Sequence, residues 1–229
     1  MIKNKLNPQN IIRLSAIKPR TKLILCFLTI SVIIQPFILN SFSVYGQELG
    51  NTDALIVMVN IERIRSQLWL TEQSLDSGNP DMAFAHAFIP HTATFPAIKN
   101  QLTETAGEQL TKQLESLLTD LPLRMRTGEY SEEKIRESIG QIRGLLDEIS
   151  QQSVGPKFLS DKAMVSQVVV FLLRDAVQSY TTTSNGSVNE NLQQDIDYEN
   201  AVGLIQTARQ NYQKTLSPLI EDSRRKSEI

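Results

Sequence analysis

Apolar residues recur at intervals of three, four or seven positions through nearly all of the chain after Gln47. The first such stripe consists of Val57, Ile61, Ile64, Leu68 and Leu75. Residues at these intervals lie on one face of an α-helix, whereas a half-buried strand would alternate every second residue. A capping Thr52 or Asp53 and the helix-ending Gly78 predict a first helix over residues 53–77. This periodicity predicts an all-α fold.

Further helical segments follow the first one. They are predicted at residues 79–106 with a break at Pro90, 107–125, 127–152, 161–180 and 195–223, with a loop at 153–160 and a polar break at 181–194. The mostly short connections predict an up-down antiparallel bundle of about six helices built from helical hairpins. The run VVVFLL within 161–180 is β-branched enough to suggest a strand, but its position among helices favours a helix. Because that helix is apolar nearly all round, it is predicted to be the central one.

Residues 1–46 are predicted to be a signal peptide or an N-terminal membrane anchor. They carry six Lys and Arg residues and no acid, followed by the uncharged run LILCFLTISVIIQPFIL at 23–39. Val44 and Gly46 are small enough for a signal-peptidase site, while residues 23–45 are also long enough for an uncleaved anchor. Either alternative predicts that residues 47–229 form a single extracytoplasmic domain, secreted or anchored to the outer face of the cytoplasmic membrane.

The charge of the predicted domain restricts its partners. Residues 47–229 hold 17 basic and 25 acidic residues, a net charge of −8. A nucleic-acid binder normally presents a basic face, so nucleic acid is not expected as a partner. The one cysteine, Cys26, lies in the apolar run, so the predicted domain has no disulfide, no thiolate nucleophile and no cysteine-based zinc site.

The two histidines of the chain, His86 and His91, lie in NPDMAFAHAFIPHTATFPAI. On a straight helix, residues five apart point about 140° away from each other, which does not suit two ligands of one metal. A kink at Pro90 would turn His91 towards His86, and Glu72 or Asp81 would then supply a carboxylate. Such a site would hold iron, copper or zinc. The alternative is that His86 occupies a satisfied polar position near the hairpin and His91 faces solvent.

Other candidate motifs are less specific. Asp195, Asp197 and Glu199 alternate as at the start of a calcium loop, but the Gly and the terminal Glu of such a loop are missing, and acids at a helix N-terminus explain them better. Asn185 begins an Asn-Gly-Ser tripeptide and is therefore a candidate glycosylation site. The chain contains no nucleophile elbow, phosphate-binding loop, dinucleotide fingerprint or His-Glu-x-x-His motif, so no catalytic residue is predicted and the chain is not expected to be an enzyme.

Two segments resemble a known family. DYENAVGLIQTARQNYQKTLSPLIE at 197–221 and LDSGNPDMAFAHAFIPHTATFPAIKNQL at 75–102 are similar to hairpins of the helical extracytoplasmic domain of prokaryotic oxidase-dependent high-affinity iron permeases. The resemblance covers residues 55–100 and 165–222. The Arg-Glu-Gly-Leu-Glu motif of the permease membrane helices is absent from this sequence.

The resemblance implies an accessory role in binding or sensing a metal, iron above all, outside the membrane. A membrane permease or another envelope protein would then be its partner, and an uncleaved N-terminal segment would attach it to the membrane. The alternative function is a metal-free binding or scaffold module of the cell envelope.

Overall fold

The computed structural model describes residues 50–185 and 191–218, with side chains described for 52–181 and 195–218. The predicted signal or anchor segment at 1–46 lies outside the described residues. Every regular element in the described ranges is helical, which confirms the predicted all-α class. Residues 162–180 lie within a helix, so the strand alternative for VVVFLL was wrong.

Six long helices make up this part of the chain, and two of them contain a π-helical turn. Their segments are α1 (Gly50–Asp76), α2 (Pro80–Ile89), π1 (Pro90–Thr94), α3 (Phe95–Thr105), α4 (Glu108–Thr127), α5 (Glu132–Ser160), α6 (Lys162–Asn185), α7 (Asn191–Asn211) and π2 (Tyr212–Leu216). The α2–π1–α3 and α7–π2 segments are each continuous helices. The number of helices therefore agrees with the sequence prediction.

Local sequence signals explain the start of α2. The side chain of Asn79 accepts a hydrogen bond of 3.2 Å from the backbone N–H of Met82, and Pro80 occupies the first turn, where a missing N–H leaves no intrahelical bond unmade. Asn79 is therefore the N-cap of α2. The cap determines the residue at which α2 begins after the turn that follows α1, and therefore which residues of α2 face α1.

Neither Pro90 nor Pro122 ends its helix, although proline lacks the N–H that a helix interior needs. At Pro90 the helix widens into one π turn, and the N–H of Phe95 donates to the carbonyl of Pro90. Ile89 keeps α-helical dihedral angles, so the chain continues into α3 without a loop. Likewise, α4 continues past Pro122 to Thr127. The predicted loop at 153–160 is also helical, except for a break at Gly155.

Helix α1 lies at the centre of the bundle. It contacts α2, α3, α5, α6 and α7. Ile61, Ile64 and Leu68 on α1 are completely buried. The prediction that residues 161–180 form the central helix was wrong, because α6 leaves Phe171 and Val177 exposed to solvent.

Ion pairs set the direction of α5 against α1. Arg136 contacts Asp76 at 2.7 Å, and Arg143 contacts Glu72 through two hydrogen bonds of 3.0 and 2.6 Å. The step from Asp76 to Glu72 runs towards the N-terminus of α1, whereas the matching step from Arg136 to Arg143 runs towards the C-terminus of α5. These two helices are therefore antiparallel.

Candidate functional site

His86 is a buried polar side chain in the interior of the bundle. It lies on the inner face of α2, beside the equally buried Met82, Ala83 and Ala87. Its side chain has no exposed surface. A buried imidazole needs hydrogen-bond partners because an unpaired polar group away from water costs about 1–3 kcal/mol. The interior must therefore supply partners for both ring nitrogens.

Partners come from two other helices. Nδ1 of His86 contacts Oε1 of Gln67 on α1 at 3.0 Å, and Nε2 contacts Oε2 of Glu199 on α7 at 2.7 Å. Gln67 in turn donates from Nε2 to Oδ1 of Asn200 at 2.9 Å. Asn200, Gln67, His86 and Glu199 thus form a continuous hydrogen-bonded chain, which we call the His86 relay. It connects α1, α2 and α7.

Hydrogen-bond chemistry fixes where the protons of the His86 relay lie. An amide oxygen only accepts, so Nδ1 of His86 carries a hydrogen when it faces Oε1 of Gln67. The proton between Nε2 and Glu199 then belongs either to an imidazolium or to a neutral carboxyl group. If the amides of Gln67 and Asn200 both turn over, Nδ1 becomes an acceptor and a neutral ring can donate from Nε2 to a Glu199 carboxylate. The amide orientations therefore depend on the charge of the ring.

Burial decides the direction of the His86 pKa. Desolvation of the charged ring lowers the pKa of His86 below its ordinary value of 6.5. The hydrogen bond to Glu199 and its negative charge oppose that shift without cancelling it. The relay therefore favours a neutral imidazole at neutral pH.

Glu199 links the buried ring to the protein surface. Its side chain is 35 % exposed, whereas that of His86 is fully buried. It borders a crevice of about 260 Å³ between the start of α2 and the first turns of α7. The crevice is lined by Asn79, Asp81, Met82, Asp195, Tyr198 and Glu199. Three of these six side chains are carboxylic acids, so the crevice has an acidic wall.

The residues of the predicted metal site are used elsewhere. His91 lies in π1, and its Nδ1 contacts Oγ1 of Thr119 on α4 at 3.1 Å. Glu72 is held by Arg143, and Asp81 lines the crevice. Within the described side chains, no three His, Cys, Asp or Glu residues are grouped as a metal ion would require. The π turn at Pro90 does not bring together the four predicted metal ligands, His86, His91, Glu72 and Asp81.

The partners of His86 were not predicted from the sequence. Glu199 was noted only as one of three alternating acids, and Gln67 and Asn200 were not singled out. The three acids belong to α7 itself, a helix rather than a calcium-binding loop. The available signal was the position of His86 in the apolar segment AFAHAF, which implies buried polar partners on neighbouring helices. Asn185 is the last residue of α6, and its side chain lies outside the described side chains.

Comparison of the chain with protein-family models, with curated proteins and with solved structures gave no match. The resemblance to the iron-permease domain therefore stays a prediction. In the described part of the chain, none of the helices combines the length and apolar character needed to cross a bilayer.

Proposed function

We propose that the chain is a non-catalytic helical module of the cell envelope that binds or positions a partner without using a metal. One observation carries the proposal: the ligating atoms of His86 and Glu72 already have protein partners. Both ring nitrogens of His86 are hydrogen-bonded in the interior, and both carboxylate oxygens of Glu72 bind Arg143. A metal would have to displace these contacts before it could bind.

The same proposal includes three further features of the chain. They are an extracytoplasmic location, an up-down antiparallel order of the whole bundle and a single domain over residues 47–229. The basic and apolar pattern of residues 1–46 supports the location. The antiparallel packing of α1 against α5 supports the bundle order. N-terminal sequencing of the chain recovered from the cell envelope checks the location, and an intact chain found in the cytosol would contradict it.

Calorimetric titration of the full chain with Fe²⁺, Cu²⁺ and Zn²⁺ in turn tests the absence of a metal. We expect no binding at micromolar concentrations, and the same result for a His86→Ala/His91→Ala variant. The matched variant shows whether any heat comes from the histidines. Micromolar binding that disappears in the variant would overturn the metal-free function and support the metal role that the family resemblance implies.

A further inference from the structure

Side-chain hydrogen bonds tie α7 to α1 and α2 at two separated levels. Near its start, Glu199 binds His86 and Asn200 accepts from Gln67. At its end, Nδ2 of Asn211 donates to Oε2 of Glu62 at 2.9 Å, and the Glu62 side chain is almost completely buried. The first level contains a histidine and borders the crevice, whereas the second contains none. A change in the charge of His86 would therefore act on the start of α7 and not on its end.

We propose that His86 and Glu199 form a pH-sensitive latch that holds the first half of α7 against α2 at neutral pH and releases it in mild acid. The latch depends on geometry: one ring, fully buried, bridges α1 and α7 through its two nitrogens. Its acidic partner borders the crevice between the two helices that would separate. Separation at the crevice would expose the ring to water.

The charged groups around His86 lie on α7 and on α2 itself. From α7, Glu199 contacts the ring, and Asp195 lines the crevice beside Glu199. From α2, Asp81 lines the same crevice. Helix α1 offers the uncharged Gln67. On α4, Glu108 binds Lys112, Glu115 binds Lys99 of α3, and Arg124 binds Glu129.

The direction of the pH dependence follows from burial. An imidazole exposed to water gains a proton as the pH falls through about 6.5, whereas the buried ring resists protonation. Below that pH the released form binds more protons than the latched form. The stabilising contribution of the latch is thus complete above pH 6.5 and is lost as the pH falls towards the lowered pKa of His86. Asp81 and Asp195 both line the crevice, so their negative charges oppose closure there.

Hydrogen–deuterium exchange of the full chain between pH 7.5 and 5.5 tests the latch. Rates are expressed as protection factors, because the exchange of an unprotected amide itself depends on pH. We expect the protection of amides in 195–203 to fall by up to about tenfold per pH unit below 6.5, the slope for one proton. Amides in 204–211 should change much less. Equal loss of protection along all of α7, or along all helices, would contradict a local latch.

Three variants separate the latch from a purely structural role. His86→Gln should make the protection of 195–203 independent of pH over this range, and His91→Gln should respond as the wild type does. Glu199→Gln removes the interactions that raise the pKa of His86, so its acid response should be at least as large as that of the wild type. If His86→Gln does not fold, a smaller acid response in Glu199→Gln than in the wild type would still overturn the proposal. Loss of the response in His91→Gln would overturn it as well.

Discussion

At the scale of single residues, Gly203 marks a close approach of α7 to α1. A Cβ atom at this position would lie 2.7 Å from Cδ1 of Leu70 and 2.7 Å from Oγ of Ser66. Both neighbours are buried, and Ser66 Oγ has no hydrogen-bond partner among the described residues. The absence of a side chain at Gly203 therefore allows the two helices to pack, and it places Asn200 within reach of Gln67.

Gly203→Ala should lower the free energy of unfolding by about 1 kcal/mol, because overpacking of a buried site outweighs the gain in helix propensity. The matched variant is Gly140→Ala on the exposed face of α5, where an added Cβ meets no atom within 4 Å. That variant should raise stability by about 0.5–1 kcal/mol. Urea unfolding measures both. Changes of the same sign in the two variants would show that the close approach at Gly203 is not tight.

His86 shows how far residue-level reasoning from sequence extends. The alternative in which His86 occupies a satisfied polar position was correct, because both ring nitrogens are hydrogen-bonded. The metal alternative needed a kink at Pro90 to turn His91 towards His86. Their partners lie in distant parts of the chain: Glu199 is 113 residues from His86, and Thr119 is 28 residues from His91. No local pattern contains that information.

At the scale of secondary-structure elements, α5 contains a break that only glycine tolerates. Gly155 has φ 77° and ψ 160° between two helical stretches, and Pro156 follows it. The Gly-Pro pair indicated a break, and the sequence predicted a loop over 153–160. The helix instead resumes at once, because Phe158 just beyond the break is buried against the core. Packing after the break, which the sequence does not reveal, keeps this segment helical.

Gly155→Ala should reduce the free energy of unfolding by about 1–3 kcal/mol, since side chains with a Cβ are strained at these dihedral angles. Gly144→Ala, on the same helix with open space around it, is the control and should be stabilising by about 0.5–1 kcal/mol. Thermal and urea unfolding measure the difference. An unchanged stability for Gly155→Ala would mean that the break relaxes into an ordinary helix without cost.

At the scale of the whole molecule, α1 connects the other helices. It packs on every other helical segment of the described bundle except α4 and π2, and its inner side chains are completely buried. Helix α6, although more apolar around its circumference, packs mainly on α7 and keeps part of its apolar surface in solvent. A central helix is therefore defined by its neighbours and not by its own hydropathy.

Ile64→Ala should destabilise the bundle by about 2–5 kcal/mol, because it leaves a cavity where α1 is fully buried. Ile56→Ala on the same helix is the matched control. Its side chain is 43 % exposed, so its effect should stay within about 0.5 kcal/mol. Urea unfolding followed by Trp69 fluorescence and by circular dichroism should give coincident curves. Separate transitions would contradict a bundle that α1 holds together as one unit.

The sequence by itself determined that the described chain is helical, how many helices it has and where α2 begins. These features depend on apolar periodicity, capping residues and proline or glycine positions, all of which act within a few residues along the chain. The tertiary structure decided which helix is central and which side chains complete the hydrogen bonding of His86. Those outcomes depend on contacts between residues far apart in sequence, and a helical stripe specifies only that it must be buried, not against which neighbour.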